Sequence, residues 1–120
     1  MLGLRTALYP SPDLAQGKAF YRNVFGVDPY FDEPFYVGFA ASGFELGLVP
    51  DAQPGLAGAR VYWGVSDIGA EHARLLALGA TPLDAITEVG EGIQTAAVLD
   101  PMGNAFGLIQ NPHFKVELVR

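Results

Sequence analysis

Two segments of the chain, residues 13–25 and 67–78, carry apolar side chains at the three-to-four-residue spacing of a helix. Such a stripe indicates an amphipathic helix that packs one face on a core. Each segment begins with an aspartate, which caps helix N-termini well, and is followed by a glycine, which suits the left-handed end of a helix. The pattern therefore predicts two helices over these residues.

Short stretches rich in β-branched and aromatic residues precede and follow each predicted helix. One strand is predicted before each helix, at 5–9 and 60–65. Three strands are predicted after each helix, at 27–32, 35–41 and 44–49, and at 81–88, 93–99 and 105–110. Ser42-Gly43 has the composition of a tight hairpin turn, and residues 100–104 supply the turn before the last strand.

The order strand, helix and three strands therefore occurs twice, and the capping residues Asp13 and Asp67 are 54 positions apart. The helix of a βαβββ unit covers one face of its sheet and leaves the other face bare, so two paired units enclose a cleft. We predict an α+β fold, in which two βαβββ repeats form a curved mixed sheet around a central cleft. A single domain spans 1–120, with repeats at about 3–50 and 59–112, a linker at 51–58 and a short C-terminal tail.

Composition excludes several classes of function. Half of the residues are hydrophobic and 17% are charged, so the chain can bury a core. The net charge is −6 and no run of basic residues occurs, whereas nucleic-acid binding requires a basic surface. The absence of cysteine excludes disulfides, a thiolate nucleophile and a cysteine zinc site. No signal peptide is recognisable, and no apolar run approaches the ~20 residues of a membrane helix, so we expect a cytoplasmic protein without membrane or nucleic-acid partners.

Several short motifs occur in the same order as in a known superfamily. They are LYPSPDL at 8–14, KAFY at 18–21, VFG at 24–26, GVSDI at 64–68 and LDPMGN at 99–104. Through these motifs the chain resembles, over residues 4–112, the vicinal-oxygen-chelate superfamily of glyoxalases, bleomycin-resistance proteins and ring-cleaving dioxygenases. The resemblance implies the duplicated βαβββ fold.

The resemblance also implies four metal-ligand positions, which the family's metal enzymes fill with His, Gln and Glu on the first and last strands of each repeat. In this chain they fall on Arg5 or its neighbour Thr6, on Glu45, on Arg60 and on Gly107. Arginine has no lone pair to offer a cation and glycine has no side chain, so Glu45 alone is a ligating residue. Neither of the chain's two histidines occupies such a position. We therefore expect no metal and no cofactor.

Two interpretations of the converted site remain open. Glu45 and the arginines form an ion pair that closes the former metal cavity, or an arginine binds an anionic or carbonyl oxygen of a ligand. Strand alternation also predicts that Tyr9 and Tyr62 share a face with Arg5 and Arg60. The expected binding residues are thus Arg5, Tyr9, Glu45, Arg60 and Tyr62, with Glu45 in contact with Arg5 or Arg60.

Three functions are compatible with these features. The first is a metal-independent protein that binds, and sequesters, a drug or metabolite as a homodimer; size, acidity and the missing ligands resemble the drug-sequestering branch. The second is a glyoxalase-type lyase or isomerase that acts on a small carbonyl substrate, with Glu45 as the catalytic general base. The third is a protein-interaction module that uses a sheet edge or the tail at 111–120. Motifs for a serine nucleophile or a phosphate-binding loop are absent, and we favour the first.

Overall fold

The computed structural model describes residues 4–114. Its first unit consists of β1 (Thr6–Pro10), α1 (Leu14–Phe25), β2 (Phe31–Glu33), β3 (Tyr36–Ala41) and β4 (Phe44–Val49). Its second unit consists of β5 (Tyr62–Gly64), α2 (Ile68–Ala77), β6 (Thr81–Gly90), β7 (Ile93–Leu99) and β8 (Ala105–Gln110). The predicted α+β fold with two βαβββ units is confirmed.

Local sequence explains where most of these elements begin and end. The Asp13 side chain accepts a hydrogen bond from the Gln16 amide at 3.0 Å, and Gly26 ends α1 with a φ of 70°. The hairpin between β3 and β4 turns on Ser42 and Gly43, which both have positive φ. β2 is shorter than predicted and begins only at Phe31. Pro29, within the predicted strand, has no N–H to donate to a ladder.

The strands form two separate four-stranded sheets and not one continuous sheet. Sheet A has the order β1-β4-β3-β2 and sheet B the order β5-β8-β7-β6. In each sheet the first and last strands of the unit are parallel neighbours, whereas the remaining pairs are antiparallel. This arrangement places the first and last strands of each repeat side by side.

The core lies on the helix side of both sheets and is shared by the two units. On β4, Leu46 and Leu48 are fully buried in it. The Trp63 ring of sheet B stacks on Phe106 with centroids 5.7 Å apart, and Phe25 of α1 lies 5.5 Å from Trp63. We call the opposite faces of the two sheets, which are turned away from this core, the open faces.

Polar side chains also join the two units. The buried Asp100 carboxylate accepts a 2.8 Å hydrogen bond from the hydroxyl of Tyr21 on α1. Asn104 donates to the carbonyl oxygen of Pro10 at 2.6 Å, and Arg74 of α2 donates to carbonyl oxygens at the end of α1. Between residues 4 and 114, no helix has the length and apolar character to cross a bilayer.

Candidate functional site

The candidate site lies on the open face of sheet A and is centred on Glu45. Successive side chains of a strand point to opposite faces, so the burial of Leu46 and Leu48 places Glu45 and Gly47 on the open face. Thr6 of β1 is the strand partner of Glu45. The carboxylate is therefore in the middle of the sheet, where neighbouring strands on both sides supply side chains.

Three hydroxyl groups hold the Glu45 carboxylate. Its Oε1 accepts hydrogen bonds from Thr6 Oγ1 at 3.0 Å and from the Tyr36 hydroxyl at 2.8 Å. Its Oε2 accepts a hydrogen bond from the Tyr30 hydroxyl. These donors come from β1, from β3 and from the residue that precedes β2, so three separate segments of the first unit fix one carboxylate.

A pair of glycines beneath the carboxylate makes room for the two tyrosines. Gly38 and Gly47 are strand partners on β3 and β4. A Cβ atom on Gly47 would overlap the Tyr36 hydroxyl, and one on Gly38 would lie 2.9 Å from Glu45 Oε2 and 3.1 Å from Tyr30 Cε1. The tyrosine side chains can approach the sheet this closely only because both positions lack a side chain.

The surroundings of Glu45 fix its charge. Partial burial raises the pKa of Glu45, but the hydrogen bonds from Tyr30, Tyr36 and Thr6 outweigh it and hold this pKa below its usual value. Burial and the hydrogen bond to Glu45 raise the pKa of Tyr36, and the hydrogen bond to Glu45 raises the pKa of Tyr30. At neutral pH the site therefore presents one carboxylate anion held by two neutral phenols.

Two further aromatic rings continue from Tyr36 toward β2. The Phe31 ring lies 5.9 Å from the rings of both Phe35 and Tyr36, in edge-to-face orientation. Tyr30 is 65% exposed, Phe35 67% and Phe31 38%, so their rings are accessible to solvent. We call the five residues Tyr30, Phe31, Phe35, Tyr36 and Glu45 the aromatic–carboxylate site.

The predicted contact between Glu45 and an arginine is wrong. Among the ion pairs formed within residues 4–114, none involves Glu45, and Arg60 pairs with Asp84 of β6 at 2.8 Å. Arg5 Nη1 donates to the carbonyl oxygen of Leu4, and the Arg5 carbonyl oxygen accepts from the Glu45 amide. The register of β1 places Thr6, and not Arg5, opposite Glu45.

The predicted position of Tyr9 is also wrong. Tyr9 is 4% exposed, packs in the core and accepts a 3.2 Å hydrogen bond from Trp63 Nε1, and burial raises its pKa to about 12. The predicted alternation of β1 is one residue out of register with the structure, so each side chain of this strand lies on the face opposite to the predicted one. The exposed residues of this strand are Thr6 and Leu8.

Arg60 and Tyr62 are close to each other in the second unit, where Tyr62 begins β5 of sheet B and Arg60 lies two residues before it. Asp84 and, to a smaller extent, Tyr62 raise the pKa of Arg60. The Tyr62 ring passes over Gly107, where a Cβ atom would lie 2.6 Å from Tyr62 Cδ1. The structure thus separates the predicted site residues: Glu45 lies on the open face of sheet A, whereas Tyr62 lies in β5 of sheet B and Arg60 in the segment before it.

The residues present do not fit a divalent metal. The bonds from Ser11 N to Val49 O and from Val65 N to Ile109 O are equivalent in the two units, so Ala105 is the second-unit counterpart of Glu45. Ala105, like the predicted Gly107, offers no ligand atom. Elsewhere in residues 4–114 no group of three or more His, Cys, Asp or Glu side chains is arranged to hold a metal ion. We therefore assign no step to a metal.

A half-open cavity of about 300 Å³ lies between residues of the two units and the linker. Leu8 lines it from sheet A, Arg60 and Ala105 line it from the second unit, and residues 53–57 border it. The Gly55 amide donates to Asn104 Oδ1 at 3.2 Å, which ties the linker to the β7–β8 turn. The cavity is therefore lined by both units and by the linker.

Sequence reasoning missed Tyr30, Phe31, Phe35 and Tyr36 as site residues. The sequence does contain a signal for this site. In a hairpin that turns at Ser42-Gly43, Gly38 and Gly47 are at facing positions of the two strands. Two glycines at facing positions inside strands indicate that something packs closely on that face. Tyr36, two residues before Gly38, is the nearest large side chain on the same face of β3.

We expect Tyr36→Phe to raise the pKa of Glu45 toward its ordinary value, because the carboxylate loses one of its three donors. Since the folded-state pKa of Glu45 is lowered, its ionisation stabilises the fold above the unfolded-state pKa. That stabilisation is lost as the pH falls through the folded-state value, and it shrinks in the variant. Carboxyl ¹³C NMR titration measures the pKa. Tyr62→Phe on sheet B is the control, and an unchanged Glu45 pKa in Tyr36→Phe would contradict the geometry.

A family model described as a glyoxalase-like domain matches residues 6–109. Solved structures share the fold at low sequence identity. A glyoxalase-related enzyme from Fulvimarina pelagi has 19% identity and a TM-score of 0.79, over 97% of this chain and 93% of that chain. Lactoylglutathione lyase from Agrobacterium tumefaciens has 20% identity and a TM-score of 0.75, over 94% and 98%. TioX from Micromonospora sp. ML1 has 18% identity and a TM-score of 0.73, over 90% and 98%. None of the curated proteins matches the chain.

Proposed function

Because the chain belongs to the glyoxalase-like domain family, we propose that it binds a small organic molecule without a metal, at the aromatic–carboxylate site, and sequesters it. The observation that carries this proposal is a carboxylate fixed by three hydroxyl donors beside exposed aromatic rings. Exposed apolar patches on soluble proteins mark interaction sites. A carboxylate already held in place also loses little freedom on binding, which favours affinity.

The lyase or isomerase hypothesis receives less support from the same residues. A general base that works near neutral pH needs a pKa close to that pH, and enzymes raise carboxylate pKa values by burial to achieve this. The pKa of Glu45 is lowered by the hydrogen bonds from Tyr30, Tyr36 and Thr6 despite the opposing effect of partial burial. Glu45 is therefore a weak base, and we favour binding over proton abstraction.

The interaction-module hypothesis has two candidate surfaces. One is the tail at 111–120, of which residues 115–120 lie outside the described part of the chain. The other is β6, an exposed edge strand of sheet B that carries the exposed side chains Ile86 and Val89. Register shifts interrupt the pairing of β6, and such bulges discourage the addition of a further strand. β6 does not have the specific chemistry of the aromatic–carboxylate site.

Homodimerisation stays a prediction, as does a cytoplasmic location. The support for a dimer is that Leu8, Phe31 and Tyr62, on the outward sides of the two sheets, expose apolar surface. A second copy of the chain that covers part of this surface would remove it from water, which is favourable.

We expect small aromatic ligands to raise the melting temperature of the protein equally in EDTA and in added Zn²⁺, Ni²⁺ or Mn²⁺. Ligands that bind only the folded state stabilise it by mass action, and the proposed site uses no metal. Thermal-shift screening measures this effect, and elemental analysis of the purified protein should find well below one equivalent of transition metal per chain. A ligand-induced rise in melting temperature that appears only with metal would contradict the proposal and support the enzyme hypothesis. One tightly bound metal ion per chain would do the same.

A further inference from the structure

We infer that the ligand of the aromatic–carboxylate site carries a cationic nitrogen, in the form of a protonated amine attached to a flat apolar group. This inference rests on the proposed function and adds the chemical class of the ligand. Its starting point is the charge balance around Glu45, which is an anion at neutral pH.

None of the ion pairs among the described residues includes Glu45. They join Lys18 to Asp32, Arg22 to Asp28, Arg60 to Asp84 and Arg74 to Glu71. Each of these four cations thus has a carboxylate of its own. Hydroxyl groups hold Glu45 in position without neutralising it, so its full negative charge remains on the open face of sheet A. A ligand cation is the natural counter-charge for it.

The rings around Glu45 favour the same kind of ligand. The faces of Phe and Tyr rings carry partial negative charge and attract an ammonium group within about 6 Å. Phe31 stands at 65° to Phe35 and at 64° to Tyr36, so the rings present surfaces in different directions. In the inferred complex the cation binds Glu45, and the flat apolar group of the ligand packs against the exposed ring of Phe35.

The hydrogen-bonding capacity of Glu45 further restricts the chemical class of the ligand. A carboxylate offers roughly four acceptor positions. Two donors already bind Oε1 and one binds Oε2, which leaves room for about one more N–H at Oε2. A single N–H from an ammonium group uses this remaining position. A ligand carboxylate or phosphate would instead be repelled by Glu45 and by Glu33, which is the strand partner of Tyr36.

Three probes of similar size and different charge test the inference: 2-phenylethylammonium, 2-phenylethanol and phenylacetate. Binding is measured by NMR titration at low salt against the wild type, Glu45→Gln and the control Glu88→Gln, which removes an exposed carboxylate from β6. We expect 2-phenylethylammonium to bind the wild type at least tenfold more tightly than 2-phenylethanol, and phenylacetate to bind most weakly. Glu45→Gln should reduce the ammonium affinity to that of the alcohol, whereas Glu88→Gln should leave all three affinities unchanged.

A second variant, Phe35→Leu, removes an exposed ring and should weaken binding of the ammonium probe more than binding of the alcohol. Equal affinities of ammonium and alcohol in the wild type would overturn the cation inference and leave the proposed function standing. Tightest binding of phenylacetate would overturn it as well. If none of the three probes perturbs residues of the aromatic–carboxylate site, the proposed function fails together with the inference.

Discussion

Asp100→Ala is expected to lower the free energy of unfolding by about 3–5 kcal/mol, because at least two buried donors lose their acceptor at about 1–3 kcal/mol each. The Asp100 carboxylate accepts from the Tyr21 hydroxyl at 2.8 Å, from the amides of Met102 and Asn104 at 2.9 Å, and from Asn104 Nδ2 at 3.2 Å. Tyr21 is 1% exposed and Asn104 5%, so water cannot replace the lost acceptor without opening the core.

Chemical denaturation of the variant beside the wild type measures this loss. Domains of this size are stabilised by roughly 5–15 kcal/mol, so the effect is a large part of the total. Asp28→Ala is the matched control, since the Asp28 side chain is 82% exposed in its ion pair with Arg22 and its removal should change stability little. A loss below about 1 kcal/mol in Asp100→Ala would show that the network does not join the two units as described.

Gly47→Ala is expected to reduce ligand affinity at least tenfold, although the change adds only one methyl group. The new Cβ atom would overlap the Tyr36 hydroxyl and lie 2.8 Å from Tyr36 Cε1, so the ring must leave its place over β4. Glu45 then loses one of the two donors on Oε1, and its pKa should rise.

NMR titration with 2-phenylethylammonium, the cationic probe, measures the loss of affinity. Gly64→Ala provides the matched control, because Gly64 also lies in a strand but a Cβ atom there would meet nothing within 4 Å. Equal probe affinity in Gly47→Ala and in the wild type would mean that Tyr36 has no part in binding.

Much of the fold follows from local sequence. The strands 44–49, 93–99 and 105–110 are found where they were predicted, because turn-forming residues precede each of them. β5 is limited to Tyr62–Gly64, although residues 60–65 have the composition of a longer strand. Composition does not determine how many residues find a partner, and here the parallel ladder to β8 extends over three residues.

The site was less accessible to sequence reasoning, because its geometry depends on register and on irregular backbone. Glu45 was identified through the family resemblance. Its partners were not, since an error of one residue on β1 exchanged the faces of Thr6 and Tyr9. Tyr30 precedes β2, so strand alternation does not determine where its side chain points, and only the folded chain brings its hydroxyl to Glu45.

Trp63, which stacks on Phe106, is a natural fluorescent probe of the junction between the two units. Trp63 is the single tryptophan of the chain, its indole N–H donates to Tyr9 of the first unit, and its ring contacts Phe25 of α1. Its fluorescence therefore reports on the junction between the two units. Unfolding that separates the units changes the emission of Trp63, whereas a ligand on the opposite side of sheet A leaves the indole environment untouched. Intrinsic fluorescence and ligand titrations thus report on two different regions of the same chain.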